Sequence, residues 1–153
     1  MQLSHLQAWL PIILSAVGLL AEHVWATNRM ARIEALNAFE RSVDQPVGKL
    51  RQSITYIAID VAEWRHGRGE LELNKIRYSW ARLSRDINRL IIDLSEREDK
   101  WVWISITTDD ADNAFADAND DRRELSSNTI INELNRLERV LARAVSETRN
   151  RTK

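Results

Sequence analysis

VDQPVGKLRQSITYIAIDVAEWRHGRGELELNKIRYSWARLSRDINRLIIDL, residues 43–94, decides the fold. Val43, Val47, Leu50, Ile54, Ile57, Val61 and Trp64 recur at alternating steps of four and three. Leu73, Ile76, Trp80, Leu83, Ile87, Leu90 and Leu94 recur at steps of three and four. Each set is an uninterrupted heptad seam, which puts its apolar residues on one face of a helix. Between the seams, Arg65-His66-Gly67-Arg68-Gly69-Glu70 has the two glycines of a turn. Folding the helices back antiparallel sets Trp64 against Leu73, Val61 against Ile76, Ile57 against Trp80 and Ile54 against Leu83. Leu50 then meets Ile87, Val47 meets Leu90 and Val43 meets Leu94, and in every pair the two residue numbers add to the same total. With Val47 and Leu73 at the a position, each pair sets an a residue against a d residue, as antiparallel packing requires. Two seams that mirror about a Gly-Xaa-Gly turn predict an αα-hairpin. Pro46 lies at its start. With Asp44 or Gln45 as N-cap and Pro46 at the first helical position, a new helix begins there and Val43 belongs to a corner.

Upstream lies LQAWLPIILSAVGLLAEHVWA, Leu6 to Ala26, with no ionisable group before Glu22 and His23. Its length as a helix is about 31 Å, enough to cross a hydrocarbon core of about 30 Å. Pro11 falls in the first turns, where a missing N–H matters least. A single transmembrane helix is predicted, with Trp9 and Trp25 near the two membrane interfaces and Arg29 and Arg32 just beyond the second. No Lys or Arg precedes the span, whereas Arg29, Arg32, Arg41, Lys49 and Arg51 follow it. The positive-inside rule then places the N-terminus outside and the remaining domain in the cytoplasm, at the inner (plasma) membrane. A cleaved signal peptide is the competing reading, with Val24 and Ala26 at cleavage positions, but the basic n-region is missing. An interfacial amphipathic helix fits less well, because Trp9 to Ala21 is apolar nearly all round. Glu22 reads as a headgroup-level carboxylate, one helical turn from the end of the span. Met30, Ile33, Leu36, Phe39 and Val43 continue at helical spacing between charged residues, so the rod is expected to run on beyond the bilayer.

Downstream, SEREDKWVWISITTDDADNAFADANDDRREL covers residues 95–125. Trp101, Ile104 and Thr108 fit a prolonged third helix, while Val102, Ile104 and Ile106 alternate as in a strand. Helix is expected, because a lone strand has no partner. Thr107-Thr108-Asp109-Asp110 reads as a turn and N-cap opening a short helix marked by Ala111, Phe115, Ala118 and Leu125. From Ser127 onward, Ile130, Leu134, Leu137, Leu141 and Ala144 form a third seam that would close a bundle. The fold expected is all-α: a tail and transmembrane helix over 1–26, a helical juxtamembrane extension over 27–44, and an antiparallel three- to four-helix bundle with coiled-coil-like heptad packing over 45–149. Within that bundle the hairpin covers 46–98, an acidic joint 107–125 and the last helix 127–149. Residues 150–153 form a frayed tail.

Among 153 residues there is no cysteine, which excludes disulfides, zinc–thiolate sites and cysteine nucleophiles. A net charge of −1 offers no basic excess to draw the chain onto nucleic acid, so no nucleic-acid partner is expected. Charge is uneven along the chain, however, and Thr107 to Leu125 holds seven acids against Arg122 and Arg123. Glu63 and His66 have the Glu-x-x-His spacing of di-iron bundles. Such a site needs a second copy, and the other histidines, His5 and His23, sit at the membrane segment. Asp110, Asp112 and Asp121 suggest a calcium loop, but Phe115 stands where glycine is demanded and Ala114 at a ligand position. Arg77, Arg82, Arg85 and Arg89, with Arg136, Arg139 and Arg143, form basic stripes, read as bundle flanks paired with Asp86, Asp93, Glu133 and Glu138. No phosphate loop, nucleophile elbow or metalloprotease helix occurs. The expectation is no enzyme, no cofactor and no metal, but a membrane-anchored scaffold or adaptor. Its partners would be the lipid bilayer and a protein still to be identified, with homo-oligomerisation open because heptad seams are shared between chains as easily as within one. An exported or periplasmic helical sensor and a metal-binding bundle enzyme are the alternatives.

Overall fold

The structure, a computed structural model, describes residues 3–67, 72–95 and 101–151, without the side chains of 3–14, 16, 17, 95 and 151. The described residues form five α-helices in order: α1 (Leu3–Phe39), α2 (Gln45–Arg65), α3 (Leu73–Ser95), α4 (Val102–Ala116) and α5 (Arg123–Arg151). A π turn, Glu40–Asp44, joins α1 to α2, and a 3-10 turn, Asp120–Arg122, opens α5. There is no strand among the described residues, so the chain is all-α.

The bundle is a ring of four. Helix α2 packs on α3 and α5, and α4 packs on the same two, so each helix has two neighbours along its length. The hairpin seam faces inward: Val47, Ile54, Ile57, Val61 and Trp64 on α2 and Leu73, Ile76, Trp80, Leu83 and Ile87 on α3 are buried. Val43 and Leu94 are buried beside them, while Leu50 and Leu90 are half-buried against the core. Helix α4 adds Ile104, Ala111 and Phe115, and α5 adds Ile130, Leu134, Leu137, Leu141 and Ala144. Each fully buried Val, Leu, Ile or Phe among them contributes about 1.5–3 kcal/mol by leaving water, and each Ala less. An open groove between α2 and α3 is lined by Ser53, Tyr56 and Asp60 in one direction and Asp86, Arg82 and Tyr78 in the other, which is the antiparallel register. Gly67 ends α2 at a φ of 62°, a left-handed position that favours glycine, and its N–H bonds the Trp64 carbonyl at 3.0 Å. Gly69 lies outside the described residues.

The corner expected at Val43 does not form. Asp44 (φ −63°, ψ −49°) and Gln45 (φ −65°, ψ −47°) are helical, and Asp44 makes no side-chain cap. Pro46 explains what happens instead. It brings no N–H, and in a regular helix its ring would press on the carbonyl four residues back. The π turn widens the backbone there, with the Gln45 N–H reaching the Glu40 carbonyl. Phe39 and Val43 are buried around it, which draws the helix onward into the core. One helical run therefore extends from Leu3 to Arg65, a contour of about 95 Å.

From Gly18 to Ala38 every residue of that run is exposed. Among the described residues no helix is long and apolar enough to cross a membrane. Of the expected span Leu6–Ala26, the side chains of Leu6 to Leu14, Ala16 and Val17 lie outside the described set. The part that is described leads into Glu22, His23, Asn28 and Arg29.

The second correction concerns the acidic joint. Helix α4 runs straight through Thr107–Asp110, where a turn was expected. Both threonines are buried, and their hydroxyls donate to carbonyls one turn back, Thr107 Oγ1 to Trp103 at 3.1 Å and Thr108 Oγ1 to Ile104 at 2.8 Å. A hydroxyl satisfied inside its own helix has no need of a cap. The chain breaks instead after Ala116. Asn119 is extended (φ −137°, ψ 140°), and its side chain accepts from the Asp121 N–H. The short helix expected over 111–125 thus does not exist: Ala111 and Phe115 belong to α4, Ala118 is buried in the connection, and Leu125 is exposed on α5. Ser127, expected to open the last helix, is buried inside α5 and donates to the Glu124 carbonyl at 3.0 Å.

Candidate interaction surfaces

Among the described residues, helix α1 presents a long surface with no packing neighbour. Leu19, Leu20, Val24, Trp25, Met30, Ile33 and Leu36 are all exposed, more apolar surface than a single helix holds comfortably in water. Trp25 carries the Arg29 guanidinium 5.3 Å from its ring centroid. Arg32 is exposed one turn on, and the side chain of Trp9 lies outside the described residues.

The acidic joint holds helices in register. Asp112 accepts from Trp80 Nε1 at 2.6 Å through one oxygen and from Ser84 Oγ at 3.2 Å through the other. Trp80 also stacks on Phe115, centroids 5.1 Å apart. At the hairpin end, Asp120 accepts from Trp64 Nε1 at 3.0 Å and from Arg123 Nε at 3.1 Å, and Arg123 lies over the Trp64 ring. Arg77 donates to the carbonyls of Phe115, Ala116 and Ala118, closing the C-terminal end of α4. These contacts stand where the sequence suggests only a turn and the start of a short helix. A seam tryptophan needs a partner for its N–H, which was the available signal, but the register supplying the partner was not visible.

No calcium loop forms, because Asp110 and Asp112 sit on α4 and Asp110 pairs with Arg136 at 3.0 Å. No group of three or more His, Asp or Glu side chains is placed to hold a metal among the described residues. Glu63 and His66 are exposed at the end of α2.

The basic stripes divide into two kinds. Arg51 bonds Glu138 at 2.7 Å from its Nε, tying α2 to α5, and Arg65 bonds Glu124 and Asn128. Arg136 reaches Asp110 and Glu133, Arg143 reaches Glu147, and Arg149 reaches Asp44 at 3.6 Å. Arg139 bonds the Asn135 carbonyl. On α3 the expected pairing fails, since Arg82, Arg85 and Arg89 have no carboxylate partner among the described residues, and neither Asp86 nor Asp93 reaches them. Arg85 donates only to the Ala81 carbonyl.

Open cavities flank the bundle, one of about 320 Å³ being lined by Tyr78, Arg82, Arg85, Asp86 and Arg89 on α3; two more lie between elements. One, about 430 Å³, lies between α2 and α3 beside the exposed Tyr56 and Tyr78. In it, burial and then the neighbouring Glu63 push the Asp60 carboxyl up from its ordinary value. The other, about 530 Å³, lies at the α4–α5 connection among Asp117, Asn119, Asp121 and Arg122. Neither is lined by a histidine or lysine that would serve as a base beside a nucleophile. No protein-family model, curated protein or solved structure matches the chain.

Proposed function

We propose that the chain is a membrane-tethered interaction module, in which α1 is the anchor and the bundle presents its outer faces to protein partners. The observation that supports this is the contrast at Phe39. After it the heptad seams close into a core with exposed apolar residues only scattered over the bundle surface, whereas before it Gly18–Ala38 buries none of its seven large apolar side chains. Such a helix is stable in lipid or against a partner, not bare in water. The sequence before it, Leu6 to Ala21, has no ionisable group, and its flanking cations are all on one side. This favours a bilayer crossed once, N-terminus outside and bundle at the inner face. Trp25, Arg29 and Arg32 then sit at headgroup level. The bundle acts as a scaffold, not as a catalyst.

Fractionation of cells expressing the full chain, followed by a high-pH carbonate wash, tests the anchor. Retention in the pellet is the expected result, with a reporter fused after Lys153 active in the cytoplasm. Release into the supernatant defeats the tether, and a reporter active only outside the cytoplasm reverses the orientation in favour of an exported module.

A further inference from the structure

Helices α3 and α4 are neighbours of opposite charge. Helix α3 carries Lys75, Arg77, Arg82, Arg85 and Arg89 against Asp86 and Asp93, whereas α4 carries Asp109, Asp110 and Asp112 and no cation. Their register is fixed by cross-helix bonds: Arg77 at Phe115, Trp80 at Asp112, Ser84 at Asp112. Running that antiparallel register along the pair brings Arg85 level with Asp109 and Ile92 level with Val102. All four are exposed, Ile92 at 62% and Val102 at 50%. Arg85 and Asp109 do not bond each other within the chain, and neither has an oppositely charged partner among the described residues.

We propose that the α3–α4 face is the contact with a second copy of this chain, the two bundles lying parallel about a twofold axis that runs along them. Such an axis keeps height and exchanges left for right, so α3 of one copy faces α4 of the other. Arg85 then meets the partner's Asp109, Asp109 meets the partner's Arg85, and Ile92 and Val102 close an apolar contact at one end. A level, oppositely charged pair of neighbouring helices is self-complementary under this operation. An antiparallel twofold, perpendicular to the bundles, would instead set α3 on α3 and α4 on α4 and bring like charges together. It would also require the two α1 helices to leave in opposite directions.

The parallel arrangement rests on the anchoring proposed above. Helix α4 has 15 residues, about 22 Å, and two helices are about 20 Å wide, so the face covers about 450 Å² on each copy. The total of about 900 Å² is below the range of about 1,200–2,000 Å² usual for stable complexes. Confinement in one membrane supplies the local concentration that so small a face requires.

The chain has no cysteine, so single cysteines report contacts cleanly. The experiment co-expresses two differently tagged full-length chains, Ile92→Cys and Val102→Cys, and oxidises intact membranes. Cross-linking between the two tags should exceed that of Ile92→Cys with itself. In that background Arg85→Glu or Asp109→Arg should reduce the cross-linked fraction about tenfold, since the twofold counts each change twice. Both changes together in both copies should restore it. Rising ionic strength should weaken the unmodified pair, a reading that needs no charge variant to fold. Equal Ile92–Ile92 cross-linking, no cross-linking at all in membranes that hold the protein, or failure of the double reversal to restore it overturns the proposal. If the chain leaves the membrane yet Ile92 and Val102 still cross-link at raised protein concentration, the anchor fails and the face stands.

Discussion

Helices α1 and α5 are the two longest in the molecule, and the more apolar of them is the one left uncovered. Helix α5, RELSSNTIINELNRLERVLARAVSETRNR, is rich in charge, yet Ile130, Leu134 and Leu137 have no exposed surface at all. Helix α1 is richer in apolar residues and covers almost none of them between Gly18 and Ala38. Burial therefore follows the match between a seam and its neighbours, not the amount of apolar residue. A helix with one clean stripe completes a bundle. Helix α1, whose exposed apolar residues alternate with Glu22, Arg29, Arg32 and Glu34, offers no such stripe to the bundle between Gly18 and Ala38.

The sharpest way to break this contrast is to place a charge on each helix. Leu137→Asp puts an unpaired carboxylate into the core and should abolish cooperative thermal unfolding, a loss of about 4 kcal/mol or more. Leu20→Asp should leave the melting curve of the bundle within about 0.5 kcal/mol while reducing membrane retention. If Leu20→Asp melts the bundle as Leu137→Asp does, α1 is part of the core and the contrast is lost. Next in size is Asp112→Ala, which leaves the buried Trp80 N–H without its acceptor and should lower stability by about 1–3 kcal/mol in urea titration. Asp112→Asn keeps an acceptor oxygen and should lower it less. Arg51→Ala removes the α2–α5 ion pair, which is partly solvent-exposed. The expected loss is about 0.5–1 kcal/mol, shrinking with added salt.

Smallest is Asp60→Asn. The Asp60 carboxyl is raised above its ordinary value by burial and by Glu63. The folded chain therefore binds its proton more tightly than the unfolded chain does. That contribution is complete at pH below the unfolded value and is lost as pH rises through the folded one. At neutral pH the charged side chain is mildly unfavourable, so Asp60→Asn should raise the melting temperature slightly, by less than about 0.5 kcal/mol equivalent. The difference should disappear in acid. A gain that grows on acidification contradicts this assignment.

Much of the bundle was legible because seams are long-range statements. Val47 to Trp64 and Leu73 to Leu94 repeat often enough that one misplaced residue cannot disguise the period, and the turn at Gly67 follows from their mirror relation. The joints were not legible, because a single polar residue plays several parts. Thr107 and Thr108 look like cap residues in sequence, but inside α4 they bond their own helix, and the real cap is Asn119. Pro46 looked like a helix start, and a local signal does not reveal that a widened turn can carry the helix through it. The unpaired arginines of α3 were hidden for a related reason. Asp86 and Asp93 sit four residues after Arg82 and Arg89, the spacing of an ion pair, and only side-chain placement shows those pairs unmade.

The unbroken helix from α1 into α2 makes the molecule a crankshaft. Torque applied to α1 about its long axis has no loop in which to dissipate before it reaches Phe39 and Val43, which are wedged into the end of the core. The π turn is the compliant element along that shaft, and Asp44, at its edge, is clipped to Arg149 near the far end of α5. A twist entering along α1 would meet Phe39 and Val43 first and then the Asp44–Arg149 pair, which leads on to α5.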